Sequence, residues 1–132
     1  MSTAEKAKEV HIIDDNDIDA YISQHLLEEL GVSEKITCST NGQDALAYLK
    51  SLGAEQPDII FLDVRMPVMN GFEFLEAYTK MVQGYQQRPA IYMLTSSSDP
   101  FDVEKARGNP MVKKYFSKPL SPEIIQVILG NA

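Results

Sequence analysis

The 132-residue chain is 44% hydrophobic and carries a net charge of −7, the size and composition of one globular unit with a single core. So acidic a chain is a poor sequence-independent binder of nucleic acid or of an anionic membrane surface. The polar start, Met1 to Glu9, lacks the apolar stretch of a signal peptide, and no run is long enough to span a bilayer. The expectation is a cytoplasmic protein with neither nucleic acid nor membrane as partner.

Val10-His11-Ile12-Ile13, closed by Asp14-Asp15-Asn16, reads as a first buried strand. From Asp17 to Leu30, Ile18, Ile22, Leu26 and Leu30 recur at fours, joined by Tyr21 and Leu27, an amphipathic helix that Gly31 ends. Lys35 to Ser39 is a weaker strand near an edge; its Cys38, the only cysteine, is expected as a core or near-core thiol with no disulfide or metal partner. Asn41-Gly42 opens a helix with Ala45, Leu46, Leu49 and Leu52 on one face, ended by Gly53. Ile59-Ile60-Phe61-Leu62 is short, apolar and bounded by turn residues, the pattern of a strand buried on both faces. Asp63 stands where it emerges, ahead of Val64-Arg65-Met66-Pro67 and Asn70-Gly71. Phe72, Leu75, Tyr78 and Val82 give a third helical stripe, stopped near Gly84. Ala90 to Leu94 is a fourth strand, delivering Thr95-Ser96-Ser97-Ser98. Asp99 to Arg107 is a short, poorly patterned helix, and Lys113 to Ser117 a fifth strand before Lys118-Pro119. Ser121 caps a last helix with Pro122 at its first position and Ile124, Ile125, Ile128 and Leu129 as its apolar face.

Strand and helix alternate five times with short connections, which specifies an α/β fold with a parallel sheet covered on both faces. Right-handed crossovers leave few topologies, and the flavodoxin-like doubly wound (βα)5 arrangement, order 2-1-3-4-5, is the simplest. The expectation is one domain over residues 1–132 with its core at about 9–130.

In such a sheet ligands bind beyond the carboxyl ends of the strands. The sequence puts Asp14 and Asp15, Asp63, Thr95 and Ser96, and Lys118 at that edge. Carboxylates about 4 Å apart repel by about 4 kcal/mol at an effective dielectric near 20, so the three acids need a cation or protons. Oxygen ligands without His or Cys favour a hard ion, and Mg²⁺ suits a few carboxylates with waters and a phosphate. A hydroxyl and an ammonium facing the same spot are what a phosphoryl group requires. Taken singly, each piece has an ordinary use. Asp14-Asp15-Asn16 can cap a helix, Asp63 a turn, and Ser97 and Ser98 the next helix, while Lys118 can be a solvated lysine. Four strands ending in complementary groups favour a joint role.

On Ile13-Asp14-Asp15-Asn16, Leu62-Asp63-Val64-Arg65-Met66-Pro67 with Asn70-Gly71, Leu94-Thr95-Ser96 and Tyr115-Phe116-Ser117-Lys118-Pro119, the chain resembles a receiver domain of the two-component response-regulator family from about Glu9 to Gly130. The resemblance implies that Asp63 accepts a phosphoryl group and that Asp14 and Asp15 organise Mg²⁺, with the main-chain carbonyl of Arg65 as a further ligand. It implies that Thr95 and Lys118 hold phosphoryl oxygens, that Tyr115 is an aromatic switch following Thr95, and that the Lys118–Pro119 bond is cis. The partners implied are a sensor histidine kinase or phosphotransfer protein and a downstream protein target. The module is then not an enzyme in the ordinary sense, but one that assists its own phosphorylation and dephosphorylation. The resemblance is to the stand-alone, single-domain type, and no DNA-binding output of its own is expected after the last helix.

Arg65 and Asn109-Pro110 depart from residues common in the family. The Arg65 side chain either reaches the phosphoryl oxygens, shields them from water, points to solvent, or pairs with a surface carboxylate. His11 and His25 match no motif and read as structural. The rival from another class is a haloacid-dehalogenase-type phosphohydrolase, which needs a second acid two positions after its nucleophile, where this chain has Arg65. A flavodoxin-like electron carrier lacks support, because no hydroxyl- and glycine-rich phosphate loop follows the first strand.

Overall fold

The computed structural model describes residues 7–86, 88–96 and 99–130. In chain order the elements are β1 (Ala7–Ile13), α1 (Asp17–Leu30), β2 (Ser33–Ser39), α2 (Gly42–Ser51), β3 (Ile59–Leu62), α3 (Gly71–Met81), β4 (Ala90–Thr95), α4 (Pro100–Arg107), β5 (Val112–Ser117) and α5 (Pro122–Gly130). The strands form one parallel sheet in the order β2-β1-β3-β4-β5, the flavodoxin-like doubly wound arrangement expected from the alternation. Short β3 lies in the middle, Phe61 beside Ile12 on one flank and Tyr92 on the other.

Successive side chains of a strand point to opposite faces, and both faces are filled. Ile60 and Leu62 pack with Ala45 and Leu49 of α2 and with Phe74 and Tyr78 of α3. Phe61 packs with Leu27 of α1 and Ile125 of α5. Each helix begins where the sequence supplies a cap: the side chains of Asn16, Asn41 and Asn70 accept from Asp19, Asp44 and Glu73 amides, and Ser121 Oγ accepts from the Ile124 amide at 3.2 Å. Gly31, at φ 62, takes the left-handed conformation that closes α1.

Two expectations are corrected. In α1 the face turned to the sheet carries Ser23 and Leu27, with Ala20 and Leu26 partly covered, while Ile18 and Tyr21 are 70% and 66% exposed. Two apolar faces compete along this helix, and the one lined by Ile18 and Ile22 loses. Cys38 is exposed, its thiol 3.5 Å from Gln24 Oε1. On the edge strand β2 the neighbouring Ser39 is the residue turned inward.

Both β1 and β2 start earlier than hydropathy suggests, because Ala7 pairs with Ser33 and Glu9 with Lys35 through the backbone. Buried Glu9 accepts from Thr37 and Tyr48 hydroxyls at 2.6 Å each. His11, also buried, bonds Thr37 and Ser39 hydroxyls at 2.7 and 2.8 Å. His25 faces solvent on α1, 3.7 Å from Glu29.

Candidate functional site

Parallel strands bring their carboxyl ends to one edge, and backbone hydrogen bonds carry the ladder one residue past it. The Asp63 amide donates to the Ile13 carbonyl at 3.0 Å, and the Asp14 amide to the Ser39 carbonyl at 3.1 Å. On the far flank the Lys118 amide donates to the Thr95 carbonyl at 2.8 Å. The two acids and the lysine are thereby fixed by the sheet itself.

Their side chains meet. Lys118 Nζ lies 2.8 Å from Asp14 Oδ2, 2.9 Å from Asp19 Oδ2 and 3.3 Å from Asp63 Oδ2. Asp14 and Asp63 are buried and Asp15 is exposed. The second oxygens of the buried pair hold their own loops: Asp14 Oδ1 accepts from the Asn16 amide at 2.9 Å, and Asp63 Oδ1 from the Arg65 amide at 3.4 Å. Gly71 closes the loop after Asp63, donating its amide to the Val64 carbonyl at 2.8 Å. A Cβ on Gly71 would stand 2.5 Å from the Asp63 carbonyl oxygen, so the approach admits only glycine. The same loop holds exposed Val68 at φ 70, a conformation that costs a β-branched residue about 1–3 kcal/mol.

Burial pushes the Asp63 carboxyl up to about 6; Lys118 pulls it down, and the neighbouring Asp14 charge pushes it further up. Burial works against the Lys118 ammonium, but its bonds to Asp14 and Asp19 and the Asp63 charge outweigh burial and hold its pKa above the usual lysine range. Asp14, Asp15 and Asp63 each offer an oxygen, all within 4.8 Å of one another. This all-oxygen, all-carboxylate donor set fits a hard divalent cation such as Mg²⁺.

The remaining candidate residues are less tightly gathered. Thr95 is fully buried at the end of β4, and Ser96 is exposed just beyond it. Tyr115 is half-buried against the core, opposite Met93 in register. The Lys118–Pro119 peptide is cis. Ser97 and Ser98 lie outside the described residues. The Arg65 side chain turns to α4, its Nη2 and Nε 2.7 and 3.1 Å from Asp102 Oδ2 and its Nη2 3.5 Å from Asp99. It therefore pairs with a carboxylate, and its closer partner, Asp102, is buried rather than on the surface.

Residues 10–129 match the family model of the response regulator receiver domain. The chain belongs to this family. A two-component response regulator from Cytophaga hutchinsonii is similar in structure, with a TM-score of 0.87, 31% identity and 96% of each chain covered. The probable methanogenesis regulatory protein FilR2 of Methanothrix harundinacea is 32% identical over 115 residues, 85% of this chain and 72% of that protein. The autoinducer 1 sensor kinase/phosphatase LuxN of Vibrio harveyi is 30% identical over 122 residues, 92% of this chain but only 13% of that protein.

Two residues of this receiver escaped sequence reasoning. Asp19 joins the grip on Lys118 from the first turn of α1, and Asp102 anchors Arg65 from the first turn of α4. Asp19 had a usable signal, because the start of α1 faces the strand ends. Asp102 had none, since α4 has too little apolar periodicity to show which face is buried.

Proposed function

We propose that this receiver is the phosphoacceptor module of a two-component system, with Asp63 taking a phosphoryl group from a histidine kinase, a phosphotransfer protein or a small phosphodonor. The observation that carries the reading is a buried carboxylate at the end of the central strand that shares one lysine with a second buried acid. An Asp63 oxygen attacks phosphorus, the P–N bond of a donor phosphohistidine breaks, and its electron pair leaves with the imidazole. Asp14, Asp15, Asp63 and the Arg65 main-chain carbonyl hold Mg²⁺ in this reading. When bound, the cation neutralises charge on the transferring group. Lys118 offers an N–H to a phosphoryl oxygen, and the Thr95 and Ser96 hydroxyls complete the binding of the others. The phosphoryl group, carrying about −1.5 to −2 in place of the single charge of the carboxylate, draws the Thr95 hydroxyl towards it, Tyr115 follows, and the surface near β4 and β5 changes for a downstream protein partner.

At the position where an aspartyl phosphohydrolase keeps its second acid stands Arg65, which is turned away to Asp102. The test compares incubation with acetyl phosphate and with a generic phosphomonoester, each with Mg²⁺ and with a chelator. Stoichiometric, Mg²⁺-dependent labelling without turnover of the monoester is expected. Sustained monoester turnover overturns the reading.

A further inference from the structure

A lysine ammonium has three N–H donors, and three carboxylates face that of Lys118. Two of them, Asp14 and Asp63, belong to the acidic group suited to a divalent cation, whereas Asp19 stands outside it. Local structure explains why Asp19 is available. It is the third residue after the helix cap Asn16, the position whose acid in a capping box bonds back to the cap amide, as Glu73 does to Asn70 in α3. In α1 Asp14 already accepts from the Asn16 amide, at 2.9 Å. The Asp19 amide still donates to Asn16 Oδ1, which fixes its backbone, and its carboxylate crosses to Lys118, 99 residues away in sequence.

A divalent cation on Asp14 and Asp63 shares their charge and repels a neighbouring ammonium. Two of the three holds on Lys118 then weaken together. Asp19 keeps its hold, with a side chain 38% exposed against 4% and 6% for the other two, so its charge is the least desolvated of the three. We propose that Asp19 is a positioning residue for Lys118. It retains the ammonium when a cation engages Asp14 and Asp63, and keeps one N–H directed at the Asp63 oxygen. This rests on the reading of Asp63 as phosphoacceptor, for which that N–H serves the incoming phosphoryl group.

The test uses the whole chain with Asp19→Ala, Asp19→Asn and, as a control for charge alone, Asp17→Asn, altering an exposed residue of the same helical turn. Two quantities are measured: the rate of labelling by acetyl phosphate at saturating Mg²⁺, and the nitrogen-15 ammonium resonance of Lys118 without metal. Asp19→Ala is expected to slow labelling by about tenfold or more and to speed solvent exchange of the ammonium protons. Asp19→Asn, which keeps an acceptor oxygen, restores most of both, and Asp17→Asn changes labelling by less than about twofold because its charge is screened. Wild-type labelling in Asp19→Ala overturns the proposal, as does equal slowing in all three variants. Should Asp19→Ala not fold, Asp19→Leu, which also removes the acceptor oxygens, takes its place: slowed labelling that Asp19→Asn largely restores supports the proposal, and wild-type labelling overturns it. If the unaltered chain takes no label, the phosphoacceptor reading fails separately. The resonance then decides alone: an unchanged Lys118 signal on loss of the Asp19 carboxylate overturns the grip.

Discussion

Removing Arg65 should cost more stability than neutralising its partner. Arg65 Nη2 lies 2.7 Å from Asp102 Oδ2, with side chains 61% and 9% exposed respectively. A fully exposed pair contributes at most about 1 kcal/mol, and breaking a fully buried one costs about 3–5 kcal/mol. The pair falls between these limits, and asymmetrically. Arg65→Ala takes the guanidinium from a carboxylate that water scarcely reaches, for an expected loss of about 2 kcal/mol, roughly a thirtyfold change in the unfolding equilibrium. Asp102→Asn leaves a guanidinium that is already mostly hydrated, for a loss of about 1 kcal/mol or less. If the larger loss comes from a buried carboxylate deprived of its arginine, adding Asp102→Asn to Arg65→Ala should recover part of it. The assay is urea unfolding of the wild type, both single variants and the double variant. A double variant no more stable than Arg65→Ala, or an Arg65→Ala indistinguishable from wild type, refutes the reasoning.

Mg²⁺ should raise the melting temperature by mass action, with about 2.7 kcal/mol gained at a hundred times its dissociation constant; calorimetry with and without the ion checks this, and an unchanged midpoint at saturation contradicts the cluster as a cation site. In metal-free buffer Asp63, raised to about 6, favours the folded state fully below pH 4 and loses that contribution as pH rises through 6. His11, lowered from 6.5 to about 4 chiefly by burial, behaves oppositely: its contribution is complete above pH 6.5 and is lost as pH falls towards 4. Asp63→Asn removes the first effect and keeps the second. Its stability relative to wild type should therefore grow from near zero at pH 4 to at most about 3 kcal/mol at pH 7, and a difference independent of pH across that range counts against the buried-carboxylate assignment.

Much of the edge was legible because it depends on strand ends. Ile59–Leu62 is so short and apolar that its exit fixes Asp63, and Val10–Ile13 fixes Asp14 in the same way. What escaped depends on helix rotation and on tertiary partners. Ile18 and Ile22 offered α1 as regular an apolar stripe as the face that is buried. The rotation that exposes them also carries Asp19 to Lys118, a contact that local periodicity does not encode. Cys38 was misplaced because alternation in a weak edge strand does not say which parity faces inward. The side chain of Arg65 was undecidable without its partner, since Asp102 lies 37 residues later on a helix with hardly any apolar pattern.

The central claim is that Asp63 is the residue that takes the phosphoryl group. Intact-mass measurement of the wild type and of Asp63→Asn, both incubated with acetyl phosphate and Mg²⁺, tests it most directly. The account predicts the added mass of a single phosphoryl group on the wild type and none on Asp63→Asn, with both proteins folded by circular dichroism. Equal labelling of the two proteins would contradict it.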